Sequence, residues 1–357
     1  MRMELEGLAP NLSDQAGSAE GVYMRPESAV VEIGLSAAII TVKDDQPEVL
    51  TVRPEHDPRL ANDVRQPSAS LPFGPFTPRD HRTLDIGLRD WVAEQTGLDL
   101  GYVEQLYTFA DRGRHAGPDD TGPHVVSIGY LALLRPTDVD EEASGTRWRS
   151  WYDFFPWEDW RNGKPEILAD IIEPLLEQWI ERDDLVTSPS RPMQRRERLR
   201  IAFGMDGGTW DEEKVLERYE HLYEAGLVDE ASRDGRSAAR DWQAHPPLGQ
   251  PLRFDHRRIL ATAIGRIRAK IKYRPVVFEL MPNEFTLFEL QKTVEAILGP
   301  HLHKQNFRRL VESAGLVEPT GEVRVKTGGR PARLYRFRRE VVLERPAPGV
   351  RVNLGRG

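Results

Sequence analysis

Hydrophobic and polar positions in the last quarter of the chain follow first a helical and then a strand period. Apolar residues recur every three or four positions over residues 287–298, and Gly299, followed by a proline, ends that pattern. A second helical pattern covers residues 303–314. The alternating segments 322–326 and 333–337 then enclose a Gly-Gly turn, which is typical of a β-hairpin. This order predicts two helices followed by a hairpin.

A capping box marks the start of the first of these helices. The Thr286 hydroxyl can accept a hydrogen bond from the amide of Glu289, and the Glu289 carboxylate can accept one from the amide of Thr286. Phe285 and Leu290 flank this box as a hydrophobic staple. Together with the turn and the hairpin, the box predicts a winged helix-turn-helix over residues 285–337.

The second predicted helix has Phe307 and Val311 on one side and hydrogen-bond donors on the other. Donors of this kind bind guanine edges and phosphates when such a helix enters the major groove of DNA. The tip of the hairpin adds an arginine that could reach phosphate or the minor groove. The candidate DNA-binding residues are Lys304, Gln305, Asn306, Arg308, Arg309, Arg330 and Arg333.

Net charge supports a polyanionic partner for this region. Residues 301–345, here called the basic lobe, contain eleven Lys or Arg and five Glu, whereas the whole chain has a formal net charge of −8. A basic lobe on an acidic chain suits nucleic acid held by that lobe alone. Two alternatives stay open: the arginines form the solvated surface of packed helices, or the lobe contacts protein or RNA.

Length and composition limit the other classes. A chain of 357 residues is long enough for two or three domains. No stretch approaches the ~20 apolar residues of a membrane span, and the N-terminal segment lacks the pattern of a signal peptide. The chain has no cysteine, which suits a reducing cytoplasm, and no HExxH, GxGxxG, Walker A or GxSxG motif. We expect a cytoplasmic protein with no membrane segment, no bound metal and no catalytic cofactor.

The first half of the chain predicts a layered domain of strands and helices. Residues 30–53 predict a hairpin, and residues 82–96 predict an amphipathic helix capped by Gly97. Residues 103–109 and 124–134 predict two further strands.

An aromatic segment and three more helices follow. Seven of the thirteen residues at 148–160 are aromatic, in a chain that is 8% aromatic overall. Burial in a core or a subunit interface is favoured over stacking on an adenine. Helical patterns cover about residues 165–182, 211–225 and 255–272, and the last helix is expected to join the two halves of the molecule.

The helix at residues 82–96 resembles part of the Nudix box, in which clustered glutamates hold Mg²⁺ against a diphosphate. When the box is aligned on the Thr-Gly pair at residues 96–97, the positions of the family's glutamates correspond to Trp91, Glu94 and Gln95. Of these three residues, Glu94 alone has a carboxylate. The resemblance implies a Nudix-like α/β/α sandwich with a depleted metal site and no hydrolase activity. The alternative is an active pyrophosphohydrolase that takes metal ligands from outside the box, for example Asp85, Asp90 or Asp111.

The whole pattern is similar to the Nudix-related transcriptional regulators of NAD metabolism, the NrtR family. The similarity lies in residues 94–109, in Phe254-Asp255-His256 and in the winged helix. It implies an α+β fold with a Nudix-like domain and a C-terminal winged helix. It also implies a homodimer that binds an inverted-repeat operator in double-stranded DNA and represses NAD-biosynthesis genes. The block at about 140–250 departs from the compact members and is similar to the larger alphaproteobacterial regulators of the NadQ type.

The resemblance also implies an adenine nucleotide effector, which could be NAD, ATP or ADP-ribose. Arg112 and Arg114 are the candidate phosphate contacts, Phe109 is a candidate for stacking on the adenine, and Glu94 completes the candidate effector-binding set. A structural role for each of these residues is an equally open alternative.

These predictions divide the chain into four parts. Residues 1–27 are a lead-in, and residues 28–274 form the effector-sensing and dimerisation domain, with a helical insertion at about 140–250. Residues 275–345 form the DNA-binding domain, and residues 346–357 form a tail.

Overall fold

The structure is a computed structural model. It describes residues 31–53, 69–111, 123–139, 145–183, 194–325, 331–344 and 349–350. The predicted lead-in at 1–27 lies outside these ranges, as do residues 351–357 of the predicted tail. No helix within the described ranges is long and apolar enough to cross a membrane.

Six strands form a mixed sheet in the order β4-β5-β1-β2-β6, and the short strand β3 pairs with residues 34–36 of β1, outside the part of β1 that pairs with β2. β1 is parallel to β5 and antiparallel to β2 and β3. The hairpin and the two further strands predicted from the sequence are confirmed, whereas β6 was not predicted. The strands are β1 (Val31–Lys43), β2 (Gln46–Val52), β3 (Phe73–Pro75), β4 (Tyr102–Phe109), β5 (His124–Leu133) and β6 (Thr146–Ser150).

Helices cover both faces of this sheet. Alternate residues of β1 point to opposite sides, so Leu35 and Ile39 pack in one core cluster and Ala38 and Ile40 in another. The first cluster contains Leu88 of helix α1 (Leu84–Thr96), and the second contains the inner face of helix α6 (His256–Tyr273). The predicted α/β/α sandwich is confirmed.

Helix α1 begins and ends as its sequence predicts. The Thr83 hydroxyl accepts a hydrogen bond from the amide of Ile86, and Gly97 closes the helix with a φ of 69°. A residue with a Cβ is rarely found in this left-handed conformation, so the glycine fixes the end of the helix.

The aromatic segment is part of the protein core. It continues from β6 into two short 3-10 turns, Trp151–Asp153 and Pro156–Glu158. Trp151, Phe154 and Trp157 are fully buried, which confirms the core location and leaves these rings unavailable to a ligand.

The block at about 140–250 contributes four helices to the same core. A single π-turn at Leu168–Ile172 leads into the first of them. The pattern of hydrophobic positions does not predict the second of these helices. That helix contains four arginines and buries three side chains, so its apolar face is short. The helices are α2 (Glu173–Asp183), α3 (Arg195–Phe203), α4 (Val215–Glu224) and α5 (Asp229–Arg233).

Helix α6 joins the two halves, as predicted. It contacts β1, β4 and β5 of the sheet, helix α4 of the insertion, and the first helix of the C-terminal region. Its sequence alternates isoleucines with arginines and lysines, and the isoleucines at 259, 264, 267 and 271 are fully buried.

The C-terminal region has the predicted helix-helix-hairpin order. Its first strand begins at residue 317, five residues earlier than predicted, because pairing continues past a register shift near Pro319. The elements are α7 (Leu287–Leu298), α8 (Lys304–Ser313), β7 (Val317–Arg324), β8 (Ala332–Phe337) and α9 (Val341–Glu344).

One hydrophobic core extends through all of these parts. The cluster that contains Ala38 of the sheet also contains Leu260 of α6, Leu290 of α7 and Val311 of α8. Helix α7 packs directly on β1 and β2 as well as on α6 and α8. The C-terminal region therefore shares its core with the sandwich.

Three fully buried charged side chains connect the aromatic segment, α4 and α6. The Glu158 carboxylate accepts hydrogen bonds from Arg218 Nε at 2.6 Å and from Arg268 Nη1 at 2.6 Å. Arg218 also donates from Nη2 to the second Glu158 oxygen at 2.9 Å. We call this group the buried triad.

The buried triad also holds the C-terminal end of α7. Arg268 Nε donates to the carbonyl of Ile297 at 2.9 Å, and the Tyr152 hydroxyl donates to the carbonyl of Ala296 at 3.2 Å. Burial raises the pKa of Tyr152, so its hydroxyl stays protonated and remains a donor. These bonds satisfy carbonyls that a helix end leaves without intrahelical partners.

Candidate nucleic-acid interface and effector site

The predicted capping box is present at the start of α7. The amide of Thr286 donates to Glu289 Oε2 at 2.8 Å, and the amide of Glu289 donates to the Thr286 hydroxyl at 3.2 Å. Phe285 is buried and exchanges both backbone hydrogen bonds with Tyr335 of β8, at 3.0 and 2.8 Å. The hairpin is therefore attached to the first helix of the helix-turn-helix.

A buried carboxylate that the sequence analysis missed fixes the turn between α7 and α8. Glu295 accepts hydrogen bonds from the amide of Leu302 at 2.9 Å, from Gln291 at 2.8 Å, from Lys292 at 3.1 Å and from His301 at 3.3 Å. Burial favours the protonated acid, but these donors outweigh it and hold the pKa of Glu295 below its usual range. Its sequence signal was Gln291 and Glu295, four residues apart and therefore on one face of the helix.

Helix α8 presents its polar face to solvent. Phe307 and Val311 are buried in the core cluster that contains Leu290 of α7. Within the described ranges, no carboxylate pairs with Lys304, Arg308 or Arg309. The five candidate residues on this helix are all exposed: Lys304, Gln305, Asn306, Arg308 and Arg309.

The hairpin contributes less free charge than its sequence suggests. Arg324 pairs with Glu289 at 2.7 Å, and Arg336 pairs with Glu318 at 2.6 Å. Arg333 is exposed on β8, whereas Arg330 lies outside the described residues. Among the described residues of the basic lobe, three of the cations without a carboxylate partner, Lys304, Arg308 and Arg309, therefore lie together on α8.

Trp91 and Gln95, which the sequence resemblance aligns with glutamates of the Nudix box, hold β3 against α1. The Gln95 side chain accepts from the amide of Phe73 at 3.1 Å and donates to its carbonyl at 2.6 Å. Trp91 Nε1 donates to the carbonyl of Pro75 at 2.8 Å. A Cβ on Gly74 would lie 2.2 Å from the Trp91 ring, so the indole packs directly on this glycine.

The carboxylates that could replace the missing ligands do not converge. Asp85 pairs with Arg89 at 2.9 Å, and Asp111 pairs with Arg258 at 2.5 Å. Glu94 is exposed on α1. Across the described ranges, no three His, Asp or Glu side chains are grouped so that they could hold a metal ion.

The structure describes two of the four candidate effector residues, Phe109 and Glu94. Phe109 is buried, and the Arg258 guanidinium of α6 lies 4.9 Å from its ring centroid. This packing favours the structural alternative for Phe109. Arg112 and Arg114 lie outside the described residues, so their assignment to phosphate stays a prediction.

A buried polar group at the start of α6 adjoins β3. The amide of Leu71 donates to His256 Nδ1 at 3.1 Å, so the ring proton lies on Nε2, which is 3.3 Å from the Ser36 hydroxyl. Phe254 has a φ of 51°. Its ring packs edge-on against the rings of Phe73 and His256, with ring centroids 5.3 Å apart in both pairs. Residues 254–256 carry part of the sequence resemblance, which does not predict these contacts.

The two helices and the hairpin form a winged helix in which α8 presents an exposed cationic face. Residues 277–337 match the model of the NrtR DNA-binding winged helix domain. This region belongs to that domain family, and the predicted resemblance to the NrtR regulators is confirmed there.

One curated relative and several solved structures are similar to the chain. The ADPR responsive transcriptional repressor NtrR of Acinetobacter baylyi is 45% identical over 86 residues, which are 24% of this chain and 34% of the relative. The chain therefore spans about a third of the length of this relative.

Among solved structures, Shewanella oneidensis NrtR complexed with a 27mer DNA is 20% identical, with a TM-score of 0.48 over 87% of this chain and 95% of that one. The NUDIX domain of the same protein complexed with ADP ribose is 21% identical, with a TM-score of 0.29 over 37% of this chain and 81% of that one.

Proposed function

We propose that the protein is a DNA-binding transcriptional repressor whose sandwich domain senses ADP-ribose. The observation that carries this proposal is the exposed cationic face of α8 within a winged helix of the NrtR type. DNA binding is assigned to residues 275–345, and sensing and dimerisation to residues 28–274. The implied targets are NAD-biosynthesis genes with inverted-repeat operators, bound by a homodimer.

ADP-ribose is favoured over NAD and ATP by the relatives. The A. baylyi relative is named as ADPR responsive, and the S. oneidensis NUDIX domain has been crystallised with ADP ribose. In the present chain, Gln95 and Trp91 hold β3 against α1 by hydrogen bonds that need no metal. A sandwich domain without a reaction to catalyse suits sensing.

The decisive experiment is duplex binding with and without ADP-ribose. The protein should bind an inverted-repeat operator with an affinity that falls steeply with salt. Saturating ADP-ribose, added without metal, should change that affinity by about 5- to 150-fold, the usual range of coupling between two sites. NAD and ATP serve as the comparison ligands. If the protein shows no salt-dependent binding to any duplex, the proposal that it is a repressor is refuted. If it binds but ADP-ribose leaves the affinity unchanged, the proposal that it senses ADP-ribose is refuted.

The sandwich is expected to lack hydrolase activity. Purified protein with Mg²⁺ or Mn²⁺ should leave ADP-ribose, NAD and NADH intact, because Trp91 and Gln95 replace carboxylates and are bonded to β3. Product formation is followed by chromatography over hours. Turnover that disappears in a Glu94→Gln variant but persists in an Asp90→Asn variant would show that the box still functions.

A further inference from the structure

The last two described residues of the chain return to the end of helix α6. Val350 is fully buried in the core cluster that contains Ile271, and its amide donates to the carbonyl of Ile271 at 2.9 Å. A helix that continued past this carbonyl would use the amide of residue 275 as the donor, but that residue is a proline and has no N–H. The amide of Val350 therefore supplies the hydrogen bond that the end of α6 lacks.

Gly349 is required at this position because it has no side chain. An added Cβ would overlap the backbone N and Cα of Tyr273, so the backbone of Gly349 lies directly on that of the helix. Backbone atoms cannot move aside as the end of a flexible side chain can. Any substitution of Gly349 must therefore displace residues 349–350, which we call the strap.

The wing binds the segment that follows α6. The 3-10 turn Val276–Leu280 begins three residues after Tyr273, and its Phe278 ring stacks on Phe337 of β8 with ring centroids 4.2 Å apart. Beyond β8, Val341 of α9 is fully buried. The end of α6 and the turn after it are thus in contact with the wing through β8 and with the C-terminal segment through the strap.

We propose that the strap is a positioning element for the wing. Gly349 and Val350 fix the end of α6, which fixes the turn on which β8 stacks, and the strap thereby sets where the hairpin of β7 and β8 meets the DNA duplex. This inference rests on the proposed DNA-binding function and adds to it a role for the segment that follows the winged helix.

The wing depends on such support more than α8 does. Helix α7 is bonded to Tyr152 and Arg268 and packs on the sheet, and Phe307 and Val311 fix α8 in the same core. Within the two strands of the hairpin, Leu334 is the one buried residue. A hairpin with so little buried surface takes its orientation from the elements at its base.

The test is a double-mutant cycle on operator binding by the full-length protein. Gly349→Ala is expected to weaken binding about tenfold, because the wing then occupies its binding position for only a fraction of the time. Arg333→Ala, at an exposed residue of β8, should weaken the wild type about fivefold and the Gly349→Ala variant less than about twofold. Lys304→Ala on α8 should cost the same factor in both backgrounds.

The matched control is Gly101→Ala, which adds the same methyl group at a glycine with open space around it. It should leave operator affinity unchanged. A second variant, Val350→Ala, keeps the amide but removes two buried methyl groups, and it should weaken binding about threefold. If Gly349→Ala does not fold, Val350→Ala takes its place in the cycle. Deuterium exchange of residues 276–280 should rise in both strap variants and stay unchanged in Gly101→Ala.

The outcomes separate the strap from the proposed function. Wild-type protein that binds no duplex refutes DNA binding, and the role of the strap with it. If the wild type binds and both strap variants bind equally well, only the role of the strap is refuted. An equal cost of Arg333→Ala in both backgrounds would show that the strap stabilises the fold without positioning the wing. A reduced cost of Lys304→Ala as well would show that it acts on α8, which overturns the assignment to the wing.

Discussion

Replacing Glu158 by glutamine is expected to lower the free energy of unfolding by about 3 to 5 kcal/mol, the usual cost of breaking a buried ion pair from one side. The carboxylate is fully buried and neutralises two guanidinium groups, those of Arg218 and Arg268. Glutamine has nearly the same shape but no charge, so both cations would be left in the core without a counter-ion. Chemical denaturation monitored by tryptophan fluorescence gives the difference.

The matched control for this change is Glu318→Gln on the hairpin. It breaks a pair of the same type, with Arg336 at 2.6 Å, but the Arg336 side chain is largely exposed and that of Glu318 is partly exposed. Exposed pairs contribute about 0 to 1 kcal/mol, so this variant should unfold nearly as the wild type does. Equal midpoints for the two variants would mean that the triad does not stabilise the shared core.

The combined variant Lys304→Ala, Arg308→Ala and Arg309→Ala is expected to weaken operator binding by at least about 100-fold, since each side chain should contribute about 1 kcal/mol or more. All three are exposed on α8 and none pairs with a carboxylate of the described ranges. The slope of log K against log salt should also fall, by about 0.9 for each lost phosphate contact. Titration of a labelled duplex at several salt concentrations measures both quantities.

Arg336→Ala is the control for this loss, because it removes positive charge from the same lobe at a residue already paired with Glu318. It should change affinity little. If the control and the triple variant lose affinity equally, binding depends on the overall charge of the lobe, and α8 is not its main contact.

Local interactions were predictable from the sequence. The capping box requires only Thr286 and Glu289, three residues apart. The end of α1 requires only that Gly97 adopt a positive φ. The turn between β1 and β2, where Asp44 and Asp45 both have positive φ, is equally local. These features depend on short spacing, which a pattern of residues records directly.

Interactions between distant residues were not predictable. Glu158 meets Arg218 across 60 positions and Arg268 across 110, and no sequence pattern records such a pairing. The amount of unpaired charge on the basic lobe was not predictable for the same reason, because Arg324 of β7 pairs with Glu289 of α7. For Gln95, the resemblance to the Nudix box implies a missing carboxylate, but the hydrogen bonds of this side chain to Phe73 depend on the packing of β3.

The contacts that hold α7 in place limit the ways in which a bound ligand could change operator affinity. Its last turn is bonded to Tyr152 and Arg268, and its sides pack on β1, β2 and α6. A recognition helix mounted on such a support cannot swing independently of its own protomer. In a dimer, the quantity left for a ligand to change is the separation and angle of the two protomers. Operators with one or two base pairs inserted between the half-sites should then differ from the natural spacing in how strongly ligand changes their affinity.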